Sequence, residues 1–294
     1  MLRGIMTALV TPMDGDRIDY RAFEALVRWQ IDSGVEGLVV AGTTGEAPTL
    51  TQDERRDLLG VALAFARGRM PVVMGVGTND TSTTVDHAVG AERDGAEAVL
   101  VVTPYYNRPT QEGMLRHYNT VMDSVDIPVL AYNVPSRTGV DLLPATVAKL
   151  AERPTFAGIK DATGNMERAI DLGRILSGAG KSLLSGDDGT FLPFLACGGH
   201  GVISVASNVV PTEMAALQRA WEAGEHRDAL ERMRRLSGLI RTLFIETNPG
   251  PVKAALAALG RIRPGIRAPL AWPGPDVEMK VRRALAGLGV SPLS

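Results

Sequence analysis

The chain has 294 residues, 45% of them hydrophobic and 22% charged, so it is long enough for one large α/β barrel or two modest domains and too apolar to be disordered. Its net charge of −2 argues against a nucleic-acid binder, which would carry a basic footprint, and no apolar run approaches the roughly 20 residues of a membrane span. Cys197 is the sole cysteine, which leaves no intrachain disulfide and no cysteine metal site and points to a reducing, cytoplasmic compartment.

The N-terminal stretch MLRGIMTALVTPMDGD has no small-residue cleavage site and reads as a strand leading into a loop. From there, short β-branched apolar runs recur along the chain. They are IMTALVTP (5–12), EGLVVAG (36–42), PVVMGVG (71–77), EAVLVVTP (97–104), IPVLAYNVP (127–135), FAGIK (156–160), SLLSG (182–186) and GVISVAS (201–207). Each run is continuous, not alternating, as expected of strands buried on both faces of a parallel sheet.

Segments of helical period separate them. DYRAFEALVRWQIDSG opens on a capping Asp and stops at Gly, and TQDERRDLLGVALAFARG has Thr and acids in its first turn. DTSTTVDHAVGAERDG, TQEGMLRHYNTVMDSV and NMERAIDLGRILSGAG follow the same pattern. Eight βα units in order predict a (β/α)8 TIM barrel over residues 1–224. After PTEMAALQRAWEAG the strand signal stops. Residues 225–294 read as a C-terminal appendage of three helices: HRDALERMRRLSGLIRTLF, GPVKAALAALG and DVEMKVRRALAGLG.

Barrels of this kind place their chemistry at the C-terminal ends of the strands, so the residue at each strand end matters most. Strand two ends in AGTTGE, giving Thr43, Thr44 and Glu46; strand four ends in TPYYN, giving Tyr105 and Tyr106. Strand five holds Tyr132 and runs into NVPSRTG with Arg137. Strand six ends on Lys160, strand seven on SGDD, and strand eight carries Ile203 and Ser204.

Lys160 stands out because the chain strongly prefers arginine. Of 31 basic residues only Lys149, Lys160, Lys181, Lys253 and Lys280 are lysines, and only a lysine offers a primary amine that burial can neutralise into a nucleophile. Such an amine attacks a carbonyl to give an iminium, an electron sink that needs neither metal nor cofactor. The competing interpretation is a surface ion pair with the neighbouring Asp161; the position at a barrel strand end favours the nucleophile. Tyr132 is the candidate acid/base, carrying protons if its phenol is hydrogen-bonded to a hydroxyl such as that of Thr44, although a barrel-filling ring is an equal alternative. GTTGE offers backbone amides to an anion such as a carboxylate. Arg137 is either a bidentate carboxylate clamp or a solvated loop residue. The four histidines show no metal-ligand spacing, so no metal is expected, and the adjacent Asp187 and Asp188 point apart and do not suit a glycosidase pair.

Taken together and in order, GTTGE, YNVPSRTG and GIKDATG give the chain a resemblance that extends from TALVTPM through NPGPVK. It resembles the dihydrodipicolinate synthase branch of the class I pyruvate-dependent aldolase superfamily, which includes N-acetylneuraminate lyase. The resemblance implies a (β/α)8 barrel with a C-terminal helical domain, assembled as a homotetramer of two tight dimers. It implies that Lys160 forms a Schiff base with pyruvate and that Thr44 and Tyr132 form a proton relay with Tyr106 lent across a dimer interface. Thr43 and Thr44 would bind the pyruvate carboxylate, Gly186 and Ile203 would line the site, and Arg137 would hold the carboxylate of L-aspartate 4-semialdehyde. No cofactor, nucleic acid or membrane partner is implied.

Arg137 favours the lysine/diaminopimelate-pathway lyase over a relative acting on sugar-derived 2-oxo acids, because an acidic dicarboxyl product calls for a guanidinium. A non-catalytic barrel serving as a binding module is the alternative of a different class. One departure from the family concerns feedback by lysine. Tyr105 and Asn79 match the effector pocket of lysine-inhibited members, but Thr83 stands where an acid would pair the effector ammonium, and Pro48, Gln52 and Arg55 replace polar or imidazole positions. Weak or absent lysine feedback is the expectation.

Overall fold

The computed structural model describes residues 1–290. Its strands are β1 (Gly4–Ala8), β2 (Met13–Asp14), β3 (Arg17–Ile18), β4 (Gly37–Val40), β5 (Val72–Gly75), β6 (Ala98–Val102), β7 (Val129–Asn133), β8 (Phe156–Asp161), β9 (Ser182–Ser185) and β10 (Gly201–Ser204). The two-residue strands β2 and β3 pair as an antiparallel hairpin, while the other eight close into a barrel in chain order, with β10 returning to β1. All eight apolar runs therefore become barrel strands. Except in β8, whose ladder reaches Asp161, the paired ladders stop short of the C-terminal ends of those runs, because there the chain leaves the sheet and turns into the loops of the barrel mouth.

The helices are α1 (Tyr20–Asp32), α2 (Gln52–Ala66), α3 (Thr81–Arg93), α4 (Gln111–Asp123), α5 (Pro135–Thr138), α6 (Pro144–Ala151), α7 (Met166–Ser177), α8 (Phe191–Ala196), α9 (Pro211–Glu222), α10 (His226–Thr242), α11 (Gly250–Ala258) and α12 (Pro275–Gly287). Their starts follow side-chain chemistry. Asp19, Asp80, Thr110 and Asn165 each accept a backbone N–H three residues on, and Thr51 forms a reciprocal capping box with Glu54. Each such cap contributes about 1 kcal/mol. Helix α1 buries Phe23, Leu26, Val27 and Ile31, one stripe at helical spacing, against the barrel wall. Helices α5, α6 and α8 and the hairpin are short elements that the apolar periodicity did not announce.

Strand alternation separates two apolar layers. Met6, Val39, Leu100, Tyr132, Leu184 and Ile203 fill the barrel, whereas Ile5, Leu38, Val101, Ala131, Ile159 and Leu183 face the helices. Beyond the barrel, α10 packs on α9 and α12, and α11 packs on α12. Residues 291–294 of the expected appendage lie outside the described residues. Among the described residues no helix is long and apolar enough to cross a membrane.

Candidate active site

Lys160 lies on β8, in register with Tyr132 on β7 and Leu184 on β9, so all three side chains share the interior face of the barrel. Only 6% of the lysine is exposed, and its Nζ sits 4.0 Å from the centroid of the Tyr132 ring. Two glycines make room for it. A Cβ on Gly158, which has φ of +135°, would stand 1.9 Å from the Ser182 carbonyl oxygen, so only glycine lets β8 lie this close to β9. A Cβ on Gly186 would come within 3.0 Å of Lys160 Cε and 2.6 Å of Ala162 Cβ.

The surface ion pair with Asp161 does not form. Asp161 points to the opposite face of β8, where its Oδ2 accepts from Arg168 Nε at 2.8 Å and from Asn133 Nδ2 at 3.2 Å. Its Oδ1 accepts from the Thr163 backbone and hydroxyl. Among the described residues no carboxylate pairs with Lys160. The amine is left among apolar and aromatic neighbours.

Thr43 and Thr44 follow β4, Thr44 buried and Thr43 half-buried. Thr44 is not hydrogen-bonded to Tyr132 within this chain. Its Oγ1 instead accepts from Asn248 Nδ2 at 3.0 Å, a residue of the segment between α10 and α11. Arg137 sits on α5, and its guanidinium donates to the Asn248 carbonyl at 3.3 Å. The N-terminal prolines of α5 and α11 thus flank two segments that meet over the barrel mouth. A cavity of about 370 Å³ opens there, lined among others by Thr43, Tyr105, Tyr132, Arg137, Pro48, Arg55 and His87. Ile203 is buried on β10, level with Met6 of β1 and within the cluster that includes Tyr132.

Tyr106 is the residue the fold does not bring in. It is 89% exposed and adopts φ of +71°, a left-handed conformation unusual for a bulky side chain, so its ring projects away from its own barrel. The two adjacent aspartates both serve the backbone. Asp187 accepts from the Gly189 backbone N–H and the Thr190 hydroxyl, and the buried Asp188 accepts from the Val205 and Ala206 amides. Burial pushes the Asp188 carboxyl above the usual carboxylate range.

Glu46, the last residue of GTTGE, is not at the reaction centre. It has φ of +59° and its carboxylate accepts from Lys253 Nζ at 2.5 Å and from the Arg267 backbone N–H at 2.9 Å. Lys253 also donates to the Thr11 carbonyl. Asn248 and Lys253 were both missed by sequence reasoning, since nothing local in NPGPVK announces partners about two hundred residues away.

The matches to known proteins agree with this geometry. The model of the dihydrodipicolinate synthetase family matches residues 1–287. The 4-hydroxy-tetrahydrodipicolinate synthase of Anaeromyxobacter dehalogenans (strain 2CP-C) is 48% identical over 98% of this chain and 98% of its own length. Among solved structures, dihydrodipicolinate synthase from Thermotoga maritima superposes with a TM-score of 0.97 at 41% identity, covering 99% of both chains. The chloride-inhibited enzyme from Acinetobacter baumannii, complexed with pyruvate, gives a TM-score of 0.96 at 39% identity, covering 99% of this chain and 100% of that one. A single closed barrel carrying a buried, acid-free lysine beside a tyrosine, matched along nearly its whole length, is a member of the dihydrodipicolinate synthetase family.

Proposed function

We propose that the chain is a lyase that condenses pyruvate with L-aspartate 4-semialdehyde, supplying lysine and diaminopimelate biosynthesis. The observation that carries this is the pairing of Lys160 with Tyr132 inside the barrel while Asp161 is turned outward to Arg168. Among the described residues no carboxylate competes for the Lys160 amine. That amine can attack C2 of pyruvate, lose water and give the iminium. Removal of a methyl proton then yields the enamine, which attacks the aldehyde carbon. The amino group of the condensed product displaces Lys160 by cyclisation, releasing the free amine. The electron sink is the iminium itself, so the reaction calls for no bound cofactor.

In this scheme Thr44 and Tyr132 carry protons to and from the reacting carbons, with Tyr106 supplied by a neighbouring subunit. The exposure of Tyr106 suits that role. Thr43 and Thr44 receive the pyruvate carboxylate, Gly186 and Ile203 shape the pocket around it, and Arg137 at the mouth takes the carboxylate of the semialdehyde. A cytoplasmic homotetramer belongs to the same reading, as does a division into a catalytic barrel over 1–224 and a helical domain over 225–294.

Reduction with borohydride in the presence of pyruvate tests it. The expected result is a pyruvate-derived mass increment on Lys160 and on no other lysine, and its absence would overturn the proposal. Parallel assays with aspartate semialdehyde and with sugar-derived 2-oxo acids then separate this activity from that of a sugar-acid aldolase or dehydratase. Turnover with only the sugar-derived acids would favour the latter.

A further inference from the structure

We infer that Asn248 is a positioning residue that fixes the direction in which the Thr44 hydroxyl gives up its proton; this rests on the lyase reading above. Asn248 is only 5% exposed, and its Nδ2 is 3.0 Å from Thr44 Oγ1, itself buried. Its Oδ1 is buried without a hydrogen-bond partner among the described residues. Turning the amide over would place Oδ1 on Thr44 and leave a buried NH2 group without an acceptor. Orphaned buried donors are rarer in proteins than under-satisfied carbonyls, so the orientation with Nδ2 on Thr44 is preferred.

That orientation decides what Thr44 can do. A hydroxyl has one proton and two lone pairs. With one lone pair filled by the Asn248 N–H, the Thr44 proton cannot point at the amide and is directed elsewhere in the site. Thr44 is thereby biased to donate to the next group in the relay, such as the Tyr132 phenol oxygen, at the moment that oxygen has lost its own proton. The Asn248 backbone carbonyl meanwhile receives the guanidinium of Arg137. One residue outside the barrel strands therefore touches both the proton path and the clamp for the second substrate, through different atoms. Replacing its side chain should disturb the first and spare the second.

The test compares wild type, Asn248→Ala and Asn248→Asp in kcat, both KM values and their pH profiles, with the denaturation midpoint of each. Asn248→Ala is expected to lower kcat about tenfold or more, with both KM values within about twofold of wild type. Asn248→Asp is expected to fall further at alkaline pH, because an ionised carboxylate only accepts and so draws the Thr44 proton towards itself. Protonated at acidic pH, the aspartic acid can donate as the amide does, so the ratio of Asn248→Asp to Asn248→Ala activity should rise as pH falls. Parallel pH profiles for the two variants, or an Asn248→Ala kcat within about twofold of wild type, would overturn the inference.

If Asn248→Asp does not fold, a double-mutant cycle with Thr44→Val decides. A loss from Asn248→Ala that vanishes in the Thr44→Val background supports action through Thr44, and one that persists overturns it. Wild-type borohydride trapping is measured first. No adduct on Lys160 removes the lyase reading, whereas an adduct combined with a failed cycle removes only the role of Asn248.

Discussion

Lys253 of α11 and Glu46 of the GTTGE loop meet at 2.5 Å between Nζ and Oε1, with side-chain exposures of 0% and 1%. Two charges that deep are stable only while each has the other, and removing one partner from such a pair costs about 3–5 kcal/mol. Lys253→Met and Glu46→Gln should each lower the free energy of unfolding by that amount in urea titrations. The double variant should be less destabilised than the sum of the two. Additive losses would mean the two charges are not coupled.

Arg137 is exposed on α5 and touches the rest of the mouth through the Asn248 carbonyl at 3.3 Å. Arg137→Ala should raise KM for the semialdehyde and lower kcat/KM by about a hundredfold, while reduction with pyruvate still labels Lys160. Steady-state kinetics together with mass spectrometry of the reduced protein check both halves. Equal loss of adduct and turnover would assign Arg137 to pyruvate instead.

Added lysine should leave the reaction rate unchanged at millimolar concentrations. Thr83 hydrogen-bonds to Asp80 at the start of α3 and offers no carboxylate. The half-buried Arg55 donates to the Ala47 and Gly75 carbonyls beside Pro48 and Tyr105, which sets a cation in the segment that resembles the effector pocket of lysine-inhibited members. The missing charge-assisted hydrogen bond alone forfeits about 1.5–3 kcal/mol of effector binding. A rate that collapses with millimolar lysine would contradict this.

Acid should weaken the fold through His117. Burial pulls its pKa down to about 4, with Asp80 opposing only weakly. Its Nδ1 lies 2.9 Å from the Thr81 hydroxyl, and its Nε2 has no partner among the described residues. The unfolded imidazole takes up a proton near pH 6.5, the folded one only near 4, so between these values the unfolded chain binds the extra proton. The contribution is complete above about pH 6.5 and falls by roughly 3 kcal/mol as pH drops to about 4. Unfolding titrations across that range should show a shallower pH dependence for His117→Gln than for wild type. Equal slopes would exclude His117 as the source.

The barrel and its key lysine were legible because both rest on local signals. Continuous apolar runs mark strands buried on both faces, and a lysine at the end of such a run in an arginine-rich chain is conspicuous. Helix starts were equally legible at Asp19, Thr51 and Asp80, where the capping residue is adjacent in sequence to what it caps. What could not be read is long-range. Thr44 was paired in expectation with Tyr132, yet its hydroxyl is held by Asn248, and Glu46 proved to be one half of a buried ion pair with Lys253. Such contacts depend on where the C-terminal helices dock, which periodicity does not encode. Tyr106 was legible only through family resemblance, since on its own chain its ring faces solvent.

The alternation of β8 has a wider implication. Lys160 and Asp161 are covalent neighbours, and in a coil they would find one another at once. The pleat alone sends one inward and the other outward, and Arg168 then keeps the acid occupied on its own side of the sheet. A β-strand here acts as an insulator one peptide thick: a basic and an acidic side chain next to each other in sequence are kept in separate compartments. A one-residue slip of that strand would trade their places, putting the acid inside the barrel and the amine outside beside Arg168.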